Sequence, residues 1–272
     1  MTDVLAGWDR PLLLIGCGNM AGSILARWLD SGLPPERVQV VDPASPSLAP
    51  GITVGTTLPE NIAPGTIVLV GIKPQQFNGI SSNLNGLLST DNIVLSIMAG
   101  LPLDLLARAL PAAGTIVRLM PNLPVRTGEG VVLRYATRAK IAEIDHLLAP
   151  LGLVETLASE DDFDLGTALS GCGPAYVYRV IDALAIAATR LGLNDEQAAR
   201  LALQTVAGAA SAAARSDNAP GAMADAVASP GGMTRLGLDV LDADEHLVTL
   251  FTDTLRAARD RGAELAAASL NA

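Results

Sequence analysis

Two glycine-rich segments in this chain have residue types suited to holding anions. Gly16-Cys17-Gly18-Asn19-Met20-Ala21 carries the spacing G-x-G-x-x-A. It follows the apolar run Leu12–Ile15 and opens Ala21–Leu29, where apolar residues recur at helical spacing. Glycines there permit a tight turn and close approach of a pyrophosphate, and a helix N-terminus supplies N–H groups with partial positive charge. In this strand–turn–helix setting, Gly16, Gly18, Asn19, Met20 and Ala21 read as a dinucleotide site; the plainer alternative is a tight turn with no ligand. Ser229-Pro230-Gly231-Gly232-Met233-Thr234 is a second glycine-rich helix entrance. Its backbone N–H groups suit a carboxylate, the alternative being a connecting turn.

Three further positions extend these sites. Asp42 ends the second apolar strand, where an acidic side chain accepts hydrogen bonds from a ribose 2′-OH and repels a 2′-phosphate. No Arg or Lys lies between Asp42 and Lys73, so the pattern favours NADH over NADPH; a turn cap before Pro43 is the alternative. Lys73-Pro74 stands at the end of another apolar strand, the sheet edge where ligands bind, as a cofactor contact or a solvated loop lysine. Ser170-Gly171-Cys172-Gly173-Pro174-Ala175-Tyr176 opens a long apolar helix, with proline in its first turn. Cys172 is no nucleophile candidate, because His146 and His246 are the only histidines and suggest no triad.

The elements needed to position these groups follow from the hydrophobic pattern. Strands are expected at Leu12–Ile15, Val38–Val41, Ile52–Val54, Ile67–Ile72, Ile93–Ile97, Ile116–Met120 and Val131–Leu133. Helices are expected over Pro102–Leu110 and Ala139–Leu148. Apolar strands without clean alternation, separated by helices, indicate a parallel sheet covered on both faces. Beyond Ser159 no strand is expected. Pro174–Leu191 is apolar all round and calls for burial against another subunit. Asn194 caps a following helix with Gln197 in the capping-box position, and Asp244 opens a last amphipathic helix. The reading is α/β: a Rossmann-like dinucleotide-binding domain over 1–158 and an all-α domain for dimerisation and substrate over 159–272.

Composition narrows the classes. The 272 residues are 50% hydrophobic and 17% charged, with net charge −10. With no basic run, an electrostatic grip on nucleic acid or anionic lipid is not expected. No apolar stretch reaches the roughly 18 residues of a membrane span, and the N-terminus lacks a secretory signal pattern. Two distant cysteines, Cys17 and Cys172, suggest neither a disulfide framework nor a metal site, and fit a cytoplasmic enzyme.

Taken together, IGCGNMA at Ile15–Ala21, KPQ at Lys73–Gln75, SIMAG at Ser96–Gly100, RLMPNLP at Arg118–Pro124, LSGCGPAY at Leu169–Tyr176, PGAM at Pro220–Met223 and SPGGMT at Ser229–Thr234 resemble the pyrroline-5-carboxylate reductase family. The resemblance spans nearly the whole chain. It implies reduction of the cyclic imine 1-pyrroline-5-carboxylate to L-proline by hydride transfer from NAD(P)H, the final step of proline biosynthesis. It adds Ala99, Gly100 and Asn122 to the cofactor contacts. It places the substrate carboxylate on Ser229, Gly231, Gly232, Met233 and Thr234, between that loop of one subunit and the nicotinamide, with the Thr234 hydroxyl on the imine nitrogen. It also implies a homodimer through interlaced helical domains, which in this family often builds larger rings. The chain departs from the family pattern at Cys172 (usually Ser), Met233 (usually Thr or Ala), Ala224 (often basic) and Gly71-Ile72 before Lys73. The alternatives are a β-hydroxyacid-type dehydrogenase, which would need a lysine base in the helical domain where this chain has none after Lys140, and a non-catalytic dinucleotide-binding dimer.

Overall fold

Four-residue runs of branched apolar side chains build the centre of the sheet, and the computed structural model describes residues 3–136 and 142–270. The strands are β1 (Leu12–Ile15), β2 (Val38–Val41), β3 (Thr53–Gly55), β4 (Ile67–Val70), β5 (Ile93–Ser96), β6 (Thr115–Pro121), β7 (Gly130–Ala136) and β8 (Gly152–Thr156). Their spatial order is β3-β2-β1-β4-β5-β6-β7-β8. The crossing of the chain between β1 and β4 creates the switch point at which open α/β sheets bind ligands.

The helices of this part are α1 (Asn19–Asp30), α2 (Pro74–Leu87), α3 (Leu103–Ala109), α4 (Ala142–Leu148) and α5 (Phe163–Gly166). Strand side chains alternate between two buried faces, which explains why every residue of β1 and β4 is apolar. Leu12, Leu14, Val38, Val40, Ile67 and Leu69 pack with Ile24, Leu25 and Trp28 of α1 and Leu147 of α4. Leu13, Ile15, Val68, Val70 and Val94 pack with Phe77 and Leu84 of α2 and Leu106 of α3. Trp28 is fully buried and donates its indole N–H to the Leu147 carbonyl at 2.7 Å, while Trp8 stacks on His146.

The sheet is not parallel throughout. β7 pairs antiparallel with β6, and β8 runs parallel to β7. The link between β6 and β7 is a single 3₁₀ turn, Leu123–Thr127, closed by Gly128 in the left-handed region. That is too short for the crossover of a dozen or more residues a parallel return requires. Three of these elements, α2, β8 and the four-residue α5, were not expected. α2 is poor in strong helix formers, and β8 is a short edge strand that leaves Leu153 exposed. The part of the expected helix Ala139–Leu148 before Ala142 lies outside the described residues.

By contacts, the described residues divide into one unit within Met1–Cys172 and Ala258–Ala272 and another over Gly173–Ala257. The segment after Ser159 first packs back onto the sheet. Arg118 of β6 has a side chain 5% exposed, lies 3.8 Å over the Phe163 ring, and donates to Glu160 Oε1 at 2.7 Å. The same Glu160 oxygen accepts from the Leu103 N–H at the start of α3. A π-helical turn over Thr167–Gly171 then leads into the second unit.

That unit consists of α6 (Gly173–Arg190), α7 (Asp195–Ala213), α8 (Pro220–Ala226), α9 (Met233–Asp242) and the start of α10 (His246–Leu270). The Asn194 side chain caps α7, accepting from Glu196 N and Gln197 N. Asp244 and Glu245 both take left-handed φ values, so the last helix starts two residues later than expected, at His246. No residue of α6 is buried within the single chain. Val177, Tyr178, Leu184 and Ile186 are all exposed, as are Leu201, Leu203, Leu236, Val240 and Leu250 on α7, α9 and α10. Among the described residues, no helix is long and apolar enough to cross a membrane.

Candidate active site

The carboxyl ends of β1, β2, β4, β5 and β6 lie on one edge of the sheet because these strands are parallel. The turn after β1 needs its first glycine. Gly16 has φ +85°, and a Cβ there would lie 2.8 Å from Ile72 Cγ2 and 3.0 Å from the Gly71 backbone. Gly18 is different: a Cβ would meet no protein atom within 4 Å. Gly18 is also the N-cap of α1, makes no side-chain cap, and is followed by no acid in the first turn. The leading N–H groups of Asn19, Met20 and Ala21 have no carbonyl of their own helix to bond. Ala21 is buried and Met20 packs on the core, so their side chains serve the fold and their amides are the available groups.

Asp42 locks this turn. Its Oδ2 accepts from Cys17 N at 2.7 Å and its Oδ1 from Ala44 N at 2.8 Å. Burial first, and the neighbouring Asp42 charge second, raise the Cys17 thiol above its ordinary pKa. Beside Asp42 a cavity of about 760 Å³ opens among Val41, Pro43, Thr57, Leu58, Ile72, Gln76 and Ile80, a space of suitable size and lining for a nucleoside. No Arg or Lys lines it. A second open cavity touches Cys17, Gly18, Asn19 and Arg126, with Arg126 paired to Asp30 at 2.5 Å.

Lys73 caps α2 and is exposed, its N–H donating to Gln76 Oε1 at 3.1 Å, with Pro74 as the first helical residue. Ala99 and Gly100 follow β5; Gly100 lies in the left-handed region against the backbone of Leu265 and Ala266. Asn122 is buried, and both ends of its amide are already used. Nδ2 donates to Ser170 O at 2.9 Å, and Oδ1 accepts from Val131 N at 2.9 Å. Its side chain ties the end of β6 to β7 and to the π-helical turn.

In the second unit, Ser229, Gly231, Gly232, Met233 and Thr234 form one compact entrance to α9. Gly231 has φ +70°, and a Cβ on Gly232 would lie 2.6 Å from Ser229 Oγ. Gly232 N donates to Ser229 O at 2.9 Å, so that amide is spent on the turn. Met233 and Thr234 begin the helix, with no side-chain cap and no acid in the first turn. Their amides, with that of Arg235, precede the first helix bond from Leu236 N to Gly232 O and are left for an anion. Met233 is 93% exposed within the single chain.

Residues 160–265 match the family described as pyrroline-5-carboxylate reductase dimerisation, and residues 12–100 match that described as NADP oxidoreductase coenzyme F420-dependent. The pyrroline-5-carboxylate reductase of Pseudomonas aeruginosa is 33% identical over 264 residues, covering 94% of this chain and 96% of the relative. The chain belongs to the pyrroline-5-carboxylate reductase family. The pea (Pisum sativum) enzyme is 35% identical over 253 residues, covering 90% of this chain and 92% of its own. The solved pyrroline-5-carboxylate reductase of Coxiella burnetii superposes with TM-score 0.83 at 30% identity, covering 94% of this chain and 98% of that one. The Plasmodium falciparum pyrroline carboxylate reductase, solved with NADP bound, shares the fold at 24% identity with TM-score 0.78 over 95% of this chain and 98% of that one.

Several contributors to the site were not singled out from sequence. Thr57, Leu58, Gln76 and Ile80 line the cavity beside Asp42. Their only sequence signal was position just after strands β3 and β4. Arg126, beside the glycine turn, carried no signal, because the loop that brings it there joins strands far along the chain.

Proposed function

We propose that this chain reduces 1-pyrroline-5-carboxylate to L-proline, as an NAD(P)H-dependent oxidoreductase acting on a C=N bond, with its two glycine-rich helix entrances dividing the work. The observation that carries this reading is that both entrances are intact and free of any side-chain cap. The backbone of Gly16, Gly18, Asn19, Met20 and Ala21 holds the pyrophosphate, Lys73, Pro74, Ala99 and Gly100 border the cofactor, and Asn122 acts by position. The bound nicotinamide cofactor supplies the hydride.

The carboxylate of the cyclic imine is held at Ser229–Thr234, chiefly by the Met233 and Thr234 amides. The exposed Thr234 hydroxyl, which has no protein partner among the described residues, meets the ring nitrogen. With the iminium already protonated, no general acid is needed. Asp42 and the absence of a basic residue in the neighbouring cavity support NADH as the preferred cofactor. The exposed apolar residues of α6, α7, α9 and α10 support a homodimer built on the domain spanning 159–272, and its assembly into rings is the further arrangement we infer. A β-hydroxyacid-type reaction is disfavoured by the absence of any lysine base after Lys140.

Thr234→Val tests the assignment, since it keeps shape and removes only the hydroxyl. One hydrogen bond to a charged nitrogen contributes about 1.5–3 kcal/mol, so kcat/KM should fall about 10- to 100-fold. Affinity for NAD(P)H should be unchanged. Full activity with unaltered substrate KM would make Thr234 a structural residue.

A further inference from the structure

Arg235 directly follows Thr234 and is the cation nearest in sequence to the glycine-rich entrance of α9. A cation beside a carboxylate-binding loop invites the reading that it pairs with the substrate. Its geometry is otherwise. Nε donates to Asp239 Oδ1 at 2.8 Å, Nη2 to Asp242 Oδ2 at 3.1 Å and Nη1 to Asp225 Oδ1 at 3.2 Å. Asp239 and Asp242 lie one and two turns further along α9, on the face from which Arg235 projects. Asp225 belongs to α8, on the far side of the loop. The guanidinium therefore bonds both helices that flank Ser229–Gly232, and its own side chain is only 29% exposed.

From this geometry we infer that Arg235 is a positioning residue for the substrate loop: its three-way fork fixes the spacing of α8 and α9 and the rotation of α9 about its axis, and so aims the Thr234 hydroxyl and the Met233 and Thr234 amides. The inference rests on the reading of Ser229–Thr234 as the substrate loop. Three carboxylates around one guanidinium leave no unpaired positive charge there, so the substrate anion is met by backbone amides. A planar guanidinium satisfies three acceptors in fixed directions; a lysine ammonium carries the same charge but cannot reproduce that fork. Displacement of reacting groups by about 1 Å costs about 100-fold in rate, so loosening this link reaches catalysis without touching substrate.

Steady-state kinetics on the full-length enzyme with 1-pyrroline-5-carboxylate, together with NAD(P)H affinity, separate the possibilities. Arg235→Lys and Asp225→Asn should each lower kcat/KM about 10- to 100-fold, with the loss in kcat as well as KM. NAD(P)H affinity and oligomeric state should stay as in the wild type. The double variant should be no worse than the poorer single one, because both remove the same link. The sign for Asp225→Asn is decisive. If Arg235 contacted the substrate carboxylate directly, removing a competing negative charge would lower KM and Arg235→Lys would retain most activity; either result overturns the inference. Thr234→Val run alongside separates the two claims. If Thr234→Val is impaired while Arg235→Lys and Asp225→Asn are normal, the fork inference fails alone. If Thr234→Val is normal, the role given to the Thr234 hydroxyl fails, and the fork inference is decided by Arg235→Lys and Asp225→Asn alone.

Discussion

The two glycines of the G-x-G-x-x-A turn do different jobs, and alanine at each should separate them. At Gly16 the backbone has φ +85°, and a new Cβ would press on Ile72 at 2.8 Å and on the Gly71 backbone at 3.0 Å. Left-handed strain costs on the order of 1 kcal/mol and overpacking about 1–3 kcal/mol more. At roughly 2–4 °C per kcal/mol for a chain of this size, Gly16→Ala should melt about 5–15 °C lower. At Gly18 the φ of −70° suits alanine and the Cβ meets nothing. Losing glycine as the N-cap costs about 0.5–1 kcal/mol, so melting should fall by about 4 °C at most. That empty space is where we place the pyrophosphate. Displacing the phosphate from one charge-assisted N–H bond costs about 1.5–3 kcal/mol, which raises the Kd for NAD(P)H about 10- to 100-fold. Calorimetric titration of each variant with NADH and NADPH, beside thermal melts, reads both quantities. Gly18→Ala with wild-type affinity would refute the placement, and Gly16→Ala with wild-type melting would refute the packing argument.

Asp42→Ser should shift the kcat/KM ratio toward NADPH by removing charge repulsion, and a wild-type enzyme at least tenfold better with NADPH would contradict the role given to Asp42. Sedimentation should show a dimer that persists on dilution, with an interface exceeding roughly 2,000 Å²; a stable, active monomer would exclude it. Because its pKa is raised, Cys17 stays a neutral thiol at neutral pH. Its alkylation by iodoacetamide should be slow there, accelerate only above the ordinary thiol range, and be blocked by saturating dinucleotide. Asp42→Asn should speed it by removing the nearby negative charge. Fast labelling at neutral pH, indifferent to cofactor, would count against this environment.

What could be read from sequence was what depends on neighbours along the chain. The turn at Gly16–Ala21 declared itself because its steric requirement, its strand and its helix lie within a few residues. Asn194 announced the start of α7 for the same reason. The reversal at β7 was not visible, since Val131–Leu133 reads alike in either direction and only the short link after β6 decides. α2 was hidden because Gly79, Gly86 and several Ser and Asn residues weaken its local pattern, and burial of Phe77 and Leu84 overrides them. In sequence, Asp225, Asp239 and Asp242 look like solvated helix faces. Asp239 and Asp242 meet Arg235 through helical spacing alone, but Asp225 reaches it only once the turn between α8 and α9 has folded. Asn122 adds a tie that its motif did not announce: its amide donates to Ser170 O and accepts from Val131 N, joining the end of β6 to β7 and to the π-helical turn.

Both tryptophans, Trp8 and Trp28, belong to the unit that carries the sheet, and the helical unit over Gly173–Ala257 contains none. Indole emission is therefore a private channel for one half of the molecule. Circular dichroism at helix wavelengths sees both halves, whereas the indole signal originates in the sheet-bearing unit alone. Followed together during denaturation, the two signals report whether the halves unfold as one cooperative body or in sequence. A helical transition with the indole signal still native would locate the first failure in the dimerisation helices, with no label and no substitution required.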